Sequence, residues 1–288
     1  MKRVAFIGIG VMGRSMAGHL MDAGYELHIY TRTREKALPL IDRGAVFHET
    51  SGECARAAEA VITMVGFPQD VEQVYFGEHG ILSEALPGTL LIDMTTTDPA
   101  LSERIYAAAR EKGMSALDAP VSGGDVGAKN ATLTIMAGGD KEAFDRAKEL
   151  FEKMGKAVTY TGPAGSGQHT KVCNQIAVVG ALAGATEALV YARKAGLDPE
   201  NMLACISGGA AASWQLSNMI PRVLAGNYAP GFFIKHQVKD LRIADAQAKA
   251  LGAELPVTEI IKAMYEGLEA DGYGDNGTQA LVKHYEKE

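Results

Sequence analysis

Short apolar runs alternate with longer stretches of mixed polarity through the first half of the chain. Val4–Ile9 reads as a buried strand, Met12–Ala23 as a helix and Glu26–Tyr30 as a second strand. Ala60–Val65 and Thr89–Asp93 are further short apolar runs, with helical stretches before and between them. The helical pattern Ala100–Lys112 stops at Gly113, a residue type suited to closing a helix. Alternating strand and helix predicts a parallel sheet with helices on both faces. Thr132–Ala137 and Ala157–Tyr160 continue the strand signal.

Gly162-Pro163-Ala164-Gly165-Ser166-Gly167 breaks the rhythm, and beyond it the chain is helical almost throughout with few β-branched runs. The second half therefore predicts an all-α domain, led by a helix of about 25–30 residues from near Ser166. Within that helix Val172–Thr186 carries no charge and is bracketed by Lys171 and Glu187. The run falls short of the about 20 residues needed to span a bilayer, so a buried helix is expected. A long helix apolar around most of its circumference must be covered on several sides. That implies an oligomer, a homodimer or homotetramer, with the α-domain supplying the contacts.

Composition narrows the function classes. The 288 residues allow two domains, and 47% apolar with 22% charged residues is ordinary for a globular chain. A net charge of −7, with no basic stripe, excludes nucleic acid and an anionic membrane surface as expected partners. Cys54, Cys173 and Cys205 form no paired spacing and are read as reduced, buried thiols of a cytoplasmic protein. The histidines suggest no metal site. Met1-Lys2-Arg3 before Val4–Met12 imitates a signal peptide, but its apolar part is short and interrupted by glycine.

Gly8-Ile9-Gly10-Val11-Met12-Gly13 follows a strand and opens a helix, the position of a dinucleotide-binding turn. Glycine there lets the backbone approach a pyrophosphate, and the helix start presents free N–H groups to it. The second strand ends Ile29-Tyr30-Thr31-Arg32-Thr33-Arg34, without the acid that normally holds the ribose hydroxyls of NAD. Thr31, Arg32 and Thr33, with Arg34 as a second guanidinium, instead suit a 2′-phosphate. NADP is the expected cofactor, with NAD possible. The fold class is thus α/β: a Rossmann-like doubly wound sheet over residues 1–162, then an all-α domain over 163–288.

Four motifs in order carry a family resemblance over the whole length: the N-terminal F-I-G-I-G-V-M-G; Asp118-Ala119-Pro120-Val121-Ser122-Gly123-Gly124; Gly165-x-Gly167-x-x-x-Lys171-x-x-Asn174; and Phe232 followed by Lys239-Asp240. The chain resembles the β-hydroxyacid dehydrogenases, which include 3-hydroxyisobutyrate dehydrogenases, tartronate semialdehyde reductases and glyoxylate/succinic semialdehyde reductases. The resemblance implies that Lys171 is catalytic and that the Ser122 loop binds substrate. It also implies that Val65, Gly66, Asp70, Thr95 and Lys239 contact the cofactor, that Asp240 orients the centre, and that Phe232 walls the pocket.

The residue chemistry agrees. Ser122, Gly123 and Gly124 offer a hydroxyl beside successive N–H groups, a cradle for a small carboxylate-bearing substrate. Lys171 is a cation in an otherwise uncharged stretch, costly without a partner or a task. An ammonium there would stabilise charge building on a carbonyl oxygen and donate the proton. Asn174 and Gln175, at i+3 and i+4, share its helix face and can orient the lysine or bind the carboxylate. Many relatives carry Asn in place of Gln175, which leaves substrate size open. His169 and His236 lie near these motifs but are left out of the site. Two other classes stay open: a non-catalytic NADP-binding redox sensor, and an imine or other carbonyl reductase on the same fold.

Overall fold

The structure is a computed structural model that describes residues 1–286. The chain divides into two compact units, Met1–Lys171 and Val172–Glu288. The division falls inside the long helix, beyond the glycine-rich turn at which the sequence reading places its boundary.

The first unit holds nine strands: β1 (Arg3–Ile7), β2 (Glu26–Tyr30), β3 (Val46–Phe47), β4 (Ala60–Thr63), β5 (Leu90–Asp93), β6 (Ser115–Asp118), β7 (Val121–Ser122), β8 (Leu133–Gly139) and β9 (Gly155–Gly162). Between them run α1 (Val11–Asp22), α2 (Leu38–Ile41), α3 (Ser51–Arg56), α4 (Pro68–Phe76), α5 (Ile81–Glu84), α6 (Pro99–Glu111), α7 (Gly124–Lys129) and α8 (Lys141–Met154). Helix α9 (Ser166–Lys194) leads into α10 (Pro199–Ile206), α11 (Trp214–Leu224), α12 (Ile234–Leu251) and α13 (Pro256–Leu268).

The strands form one sheet in the order β3-β2-β1-β4-β5-β6-β8-β7, with β9 alongside β8. Helices cover both faces, as expected, because alternate residues of each strand point to opposite sides. Val4 and Phe6 of β1 join Met16 and Leu20 of α1 and Phe151 of α8. Ala5 and Ile7 join Val71 of α4 and Ile105 of α6. Gly113 closes α6 at φ +70°, the left-handed conformation expected of it.

The expectation of a purely parallel sheet is corrected. Strands β1 to β6 pair in parallel, but β8 runs antiparallel to both β6 and β7. The only helix between β7 and β8 is α7, six residues long. At 1.5 Å per residue it spans about 9 Å, too little to return the chain along the seven-residue β8, which is about 23 Å long. Helix α8 has 14 residues, about 21 Å, and the β9 it delivers does lie parallel to β8.

The second unit is helical, as the sequence predicts, with one isolated bridge between Phe233 and Gly277 among the described residues. Val179 of α9 packs with Val238 and Leu241 of α12 and Tyr265 of α13. Further along, Leu189 packs with Leu216 and Ile220 of α11. Helix α9 is 29 residues long and begins at Ser166, matching the sequence reading. Its burial is one-sided, however: Cys173, Ala177, Gly184, Glu187 and Tyr191 are exposed along one stripe. As folded it is long and apolar enough to cross a membrane by length and composition, with 44% of its most apolar window buried within the chain. The cysteine expectation is also corrected: Cys54 is buried, but Cys173 and Cys205 are exposed. Helical spacing puts Cys173 on the outward stripe, which a reading of apolar composition does not resolve.

Candidate active site

Strand order reverses between β1 and β4, and the loops after these strands open at such a switch point, where ligands bind in doubly wound sheets. Gly8 follows β1 at φ +102°, where a Cβ would lie 2.2 Å from the Met64 carbonyl oxygen. Gly13 packs equally closely on the Gly8 carbonyl, so the turn and α1 are pressed onto the strands. Gly10 differs: a Cβ there would meet nothing within 4 Å, so its backbone faces open space. No side chain caps α1, and Val11 is exposed while Ile9 is buried beneath. Met12 is half-buried against the core. An open backbone at an uncapped helix start fits the pyrophosphate of a dinucleotide.

Beyond β2, Thr31 is half-buried and Thr33 is exposed. The Arg32 guanidinium is 2.8 Å from the Asp70 carboxylate and otherwise largely exposed. Arg34, the second candidate, leans over the Phe47 ring and lies 3.4 Å from Glu49. Asp70 also accepts from the Phe67 N–H, closing the first turn of α4. Two residues read separately as cofactor contacts are thus an ion pair. Val65 and Gly66 follow β4 and are half-buried. The Val65 N–H donates to the Thr95 hydroxyl, and the Thr95 N–H donates to Asp93. Thr95 is buried, so it supports the Val65 loop from beneath.

Ser122 ends β7, and Gly123 and Gly124 follow at φ +122° and +61°. All three are exposed or half-buried at the surface of the first unit. The motif's first residue, Asp118, behaves otherwise. Its carboxylate is buried and accepts the Gly165 and Gln168 N–H groups at 2.8 Å each, with the Gly167 N–H also bonded to it. Burial pushes this carboxyl up to about 6, while the N–H bonds work in the other direction. Gln168 donates to the Thr95 carbonyl and accepts from the Thr97 N–H. Lys171 follows one turn later on α9 and is itself buried, with 6% of its surface exposed. Neither Asp118 nor Gln168 is among the sequence-derived site residues.

In the second unit, Asn174 donates to Gln175, and Gln175 donates to Asp240 at 2.6 Å. Lys239 lies 3.0 Å from the other Asp240 oxygen. Gln175 and Asp240 are both buried, so Lys239 and Asp240 are not a solvated surface pair. The longer amide of Gln175 reaches this carboxylate. Phe232 sits just before α12, its ring 6.1 Å from that of His236. His236, which the sequence reading leaves out, is adjacent to this cluster, and burial lowers its proton affinity.

Residues 3–162 match the family described as the NAD binding domain of 6-phosphogluconate dehydrogenase. Residues 165–285 match the family described as NAD-binding of NADP-dependent 3-hydroxyisobutyrate dehydrogenase. The chain belongs to the β-hydroxyacid dehydrogenase family. It is 39% identical to the 2-hydroxy-3-oxopropionate reductase of Escherichia coli, over 99% of this chain and 97% of that one. It is 34% identical to the NAD-dependent L-serine dehydrogenase of Pseudomonas aeruginosa, over 99% and 98% of the two chains. The solved 3-hydroxyisobutyrate dehydrogenase of Mycobacterium tuberculosis with L-serine superimposes at a TM-score of 0.92, with 31% identity and full coverage of both chains. This β-hydroxyacid dehydrogenase is therefore an oxidoreductase that uses a nicotinamide cofactor, and the turn at Gly8–Gly13 fits that cofactor's phosphates.

Proposed function

We propose that this enzyme reduces a small carboxylate-bearing semialdehyde or oxo acid, reversibly, with NADPH preferred over NADH. The observation that carries the reading is Lys171: a lysine with 6% exposure, one turn into a helix whose start is bound to Asp118 and, through Gln168, to Thr95. A buried ammonium is costly and is kept only where it is paired or serves chemistry, and here the buried lysine stands beside the family's substrate-loop motif. When bound, the nicotinamide supplies or takes the hydride. Lys171 Nζ donates the proton to the substrate oxygen as negative charge builds on it, a role typically worth about 10²–10⁴ in rate. Ser122 with the Gly123 and Gly124 N–H groups holds the carboxylate, and Asn174 and Gln175 orient the lysine or the substrate. Val65, Gly66 and Lys239 complete the cofactor contacts. Arg32 takes the 2′-phosphate, exchanging its Asp70 partner for a stronger anion.

The exposed stripe on α9 supports a homo-oligomer, a second copy covering Cys173, Ala177 and Gly184. Glu187, exposed on the same stripe, would be expensive in lipid, which argues for a protein neighbour. The assay that tests the reading follows NADPH and NADH oxidation with glyoxylate, succinic, tartronate and methylmalonate semialdehydes. Turnover of none, or an NADH preference with all, would refute it, and light scattering of the purified protein reports the oligomer.

A further inference from the structure

Asp118 cannot itself meet a substrate. It is 4% exposed, and both carboxylate oxygens are taken by backbone N–H groups. Those groups belong to Gly165, Gly167 and Gln168, the residues at which α9 begins. The first turn of an α-helix has no internal partners for its N–H groups, so a carboxylate placed there satisfies several at once and complements the helix dipole.

The surroundings are shaped for this contact. At Gly167 a Cβ would lie 2.5 Å from the Met136 carbonyl oxygen and 2.6 Å from that of Asp118. At Gly138 it would lie 2.7 Å from both the Asp118 carboxylate and the Gly167 nitrogen. Only side-chain-free residues let β6, β8 and the helix start come so close. Gln168 adds a second fixing: its amide donates 2.8 Å to the Thr95 carbonyl and accepts 3.0 Å from the Thr97 N–H. The same helical turn is thereby tied to the loop after β5 as well as to the end of β6.

We propose that Asp118 is a positioning residue for the reaction: by holding the first turn of α9 through Gly165, Gly167 and Gln168, it sets where the Lys171 ammonium stands. Lys171 is three residues beyond Gln168 and four beyond Gly167, so the bonds that fix the turn fix the base of the lysine side chain. A helix start that loosens by about 1 Å moves the proton donor by a similar amount, and misplacement of that size can cost about 10² in rate. The inference rests on the reading of Lys171 as the acid, and it adds that the motif's aspartate acts on the proton-transfer step through the helix.

The test is a double-mutant cycle on the full-length enzyme, using D118N and K171A, with NADPH and whichever semialdehyde is turned over best. D118N keeps the shape but can accept with only one atom, so at least one of the three N–H groups loses its partner. If D118N melts near room temperature, D118S, which retains one hydroxyl acceptor, takes its place. The expected result is a fall in kcat of about 10–100-fold, with the substrate KM and the NADPH Kd, read by nicotinamide fluorescence, within about threefold of wild type. In the K171A background, D118N should then lower kcat by less than about threefold, because the group it positions has gone. Equal losses in the two backgrounds, or a folded D118N with unchanged kcat, would overturn the positioning role. A K171A enzyme with near-wild-type kcat would overturn the acid assignment beneath it, and the two failures read differently in the same data.

Discussion

Asp93 offers a stability measurement that depends on electrostatics alone. It ends β5 with 2% of its surface exposed. One oxygen accepts from the Thr63 hydroxyl at 2.7 Å and from the Thr95 N–H at 3.1 Å, while the other is buried without a hydrogen-bond partner. Burial, the largest influence, pushes its carboxyl from 3.8 up to about 6. A pKa raised on folding contributes stability that is fully present below the unfolded value, near pH 4, and lost as pH rises through about 6. A shift of about two units corresponds to about 3 kcal/mol once both states are ionised, of which about 2 kcal/mol is lost between about pH 4.5 and pH 8. Asp93→Asn retains the oxygen that serves Thr63 and Thr95 and cannot ionise. Its amide hydrogens replace an oxygen that already lacks a partner, at a cost of about 1–3 kcal/mol that does not vary with pH. Urea unfolding of both proteins at about pH 4.5, 6 and 8 isolates the titration, since groups that do not sense the Asp93 charge cancel in the difference; Asp118, the smallest of the influences on Asp93, adds a minor contribution of its own. The variant should gain about 2 kcal/mol on the wild type from the lowest pH to the highest. A difference that stays constant with pH would refute the claim that Asp93 titrates as a buried, desolvated acid.

The remaining predictions concern the chemistry. Lys171→Ala should lower kcat by about 10²–10⁴ with cofactor affinity nearly intact, and Lys171→Arg should not restore it, because guanidinium is a poor proton donor near neutrality. Steady-state kinetics beside an NADPH titration checks both. Arg32→Ala should reduce the NADPH-over-NADH preference about 10–150-fold, the value of a charge-assisted phosphate contact. Losing its pair with the half-buried Asp70 should leave thermal stability within about 1 kcal/mol, because the guanidinium side of the pair is exposed. Methyl esters and plain aldehydes should lose most of the kcat/KM of the corresponding acids, and equal turnover of propanal and its carboxylated counterparts would remove the carboxylate cradle from the account.

What could be read from the sequence was whatever repeats locally. The start and length of α9, the βα alternation and the glycine turn after β1 each follow from neighbouring residues, and the structure reproduces them. Strands β3 and β7 are two residues each, too short to leave a period, and the reversal at β8 depends on what a six-residue helix can span. Asp118 is the plainest case of a residue in view whose role was not. It heads a quoted motif, but its partners Gly165 and Gln168 lie 47 and 50 positions away. Gln168 reaches Thr95 and Thr97 over comparable separations, and no helical or strand period connects them. Similarly, Arg32 and Asp70 look like two independent ligands in sequence because only folding pairs them.

The arrangement of the first unit gives Lys171, the proposed proton donor, a fixed relation to the glycine turn. The glycine turn, the Val65 loop, the Thr95 loop and the Asp118 motif follow β1, β4, β5 and β6, which are consecutive neighbours in the sheet. Ladder bonds run from one to the next just at their ends: Met64 N–H to Ile7, Met94 N–H to Thr63 and Ala119 N–H to Asp93. Side chains repeat the connection one layer out, Thr95 to Val65 and Gln168 to Thr95. Lys171 is therefore referenced to the cofactor turn through a row of short, buried bonds on rigid strands, the kind of support that holds a reacting geometry to a fraction of an ångström. Ser122–Gly124 lies outside that row, on a loop between an edge strand and a short helix, and Asn174, Gln175 and Phe232 belong to the other unit. On the proposed role of the Ser122–Gly124 loop, substitutions there leave that ladder intact and should move KM among substrates, while substitutions along the row should move kcat for all of them.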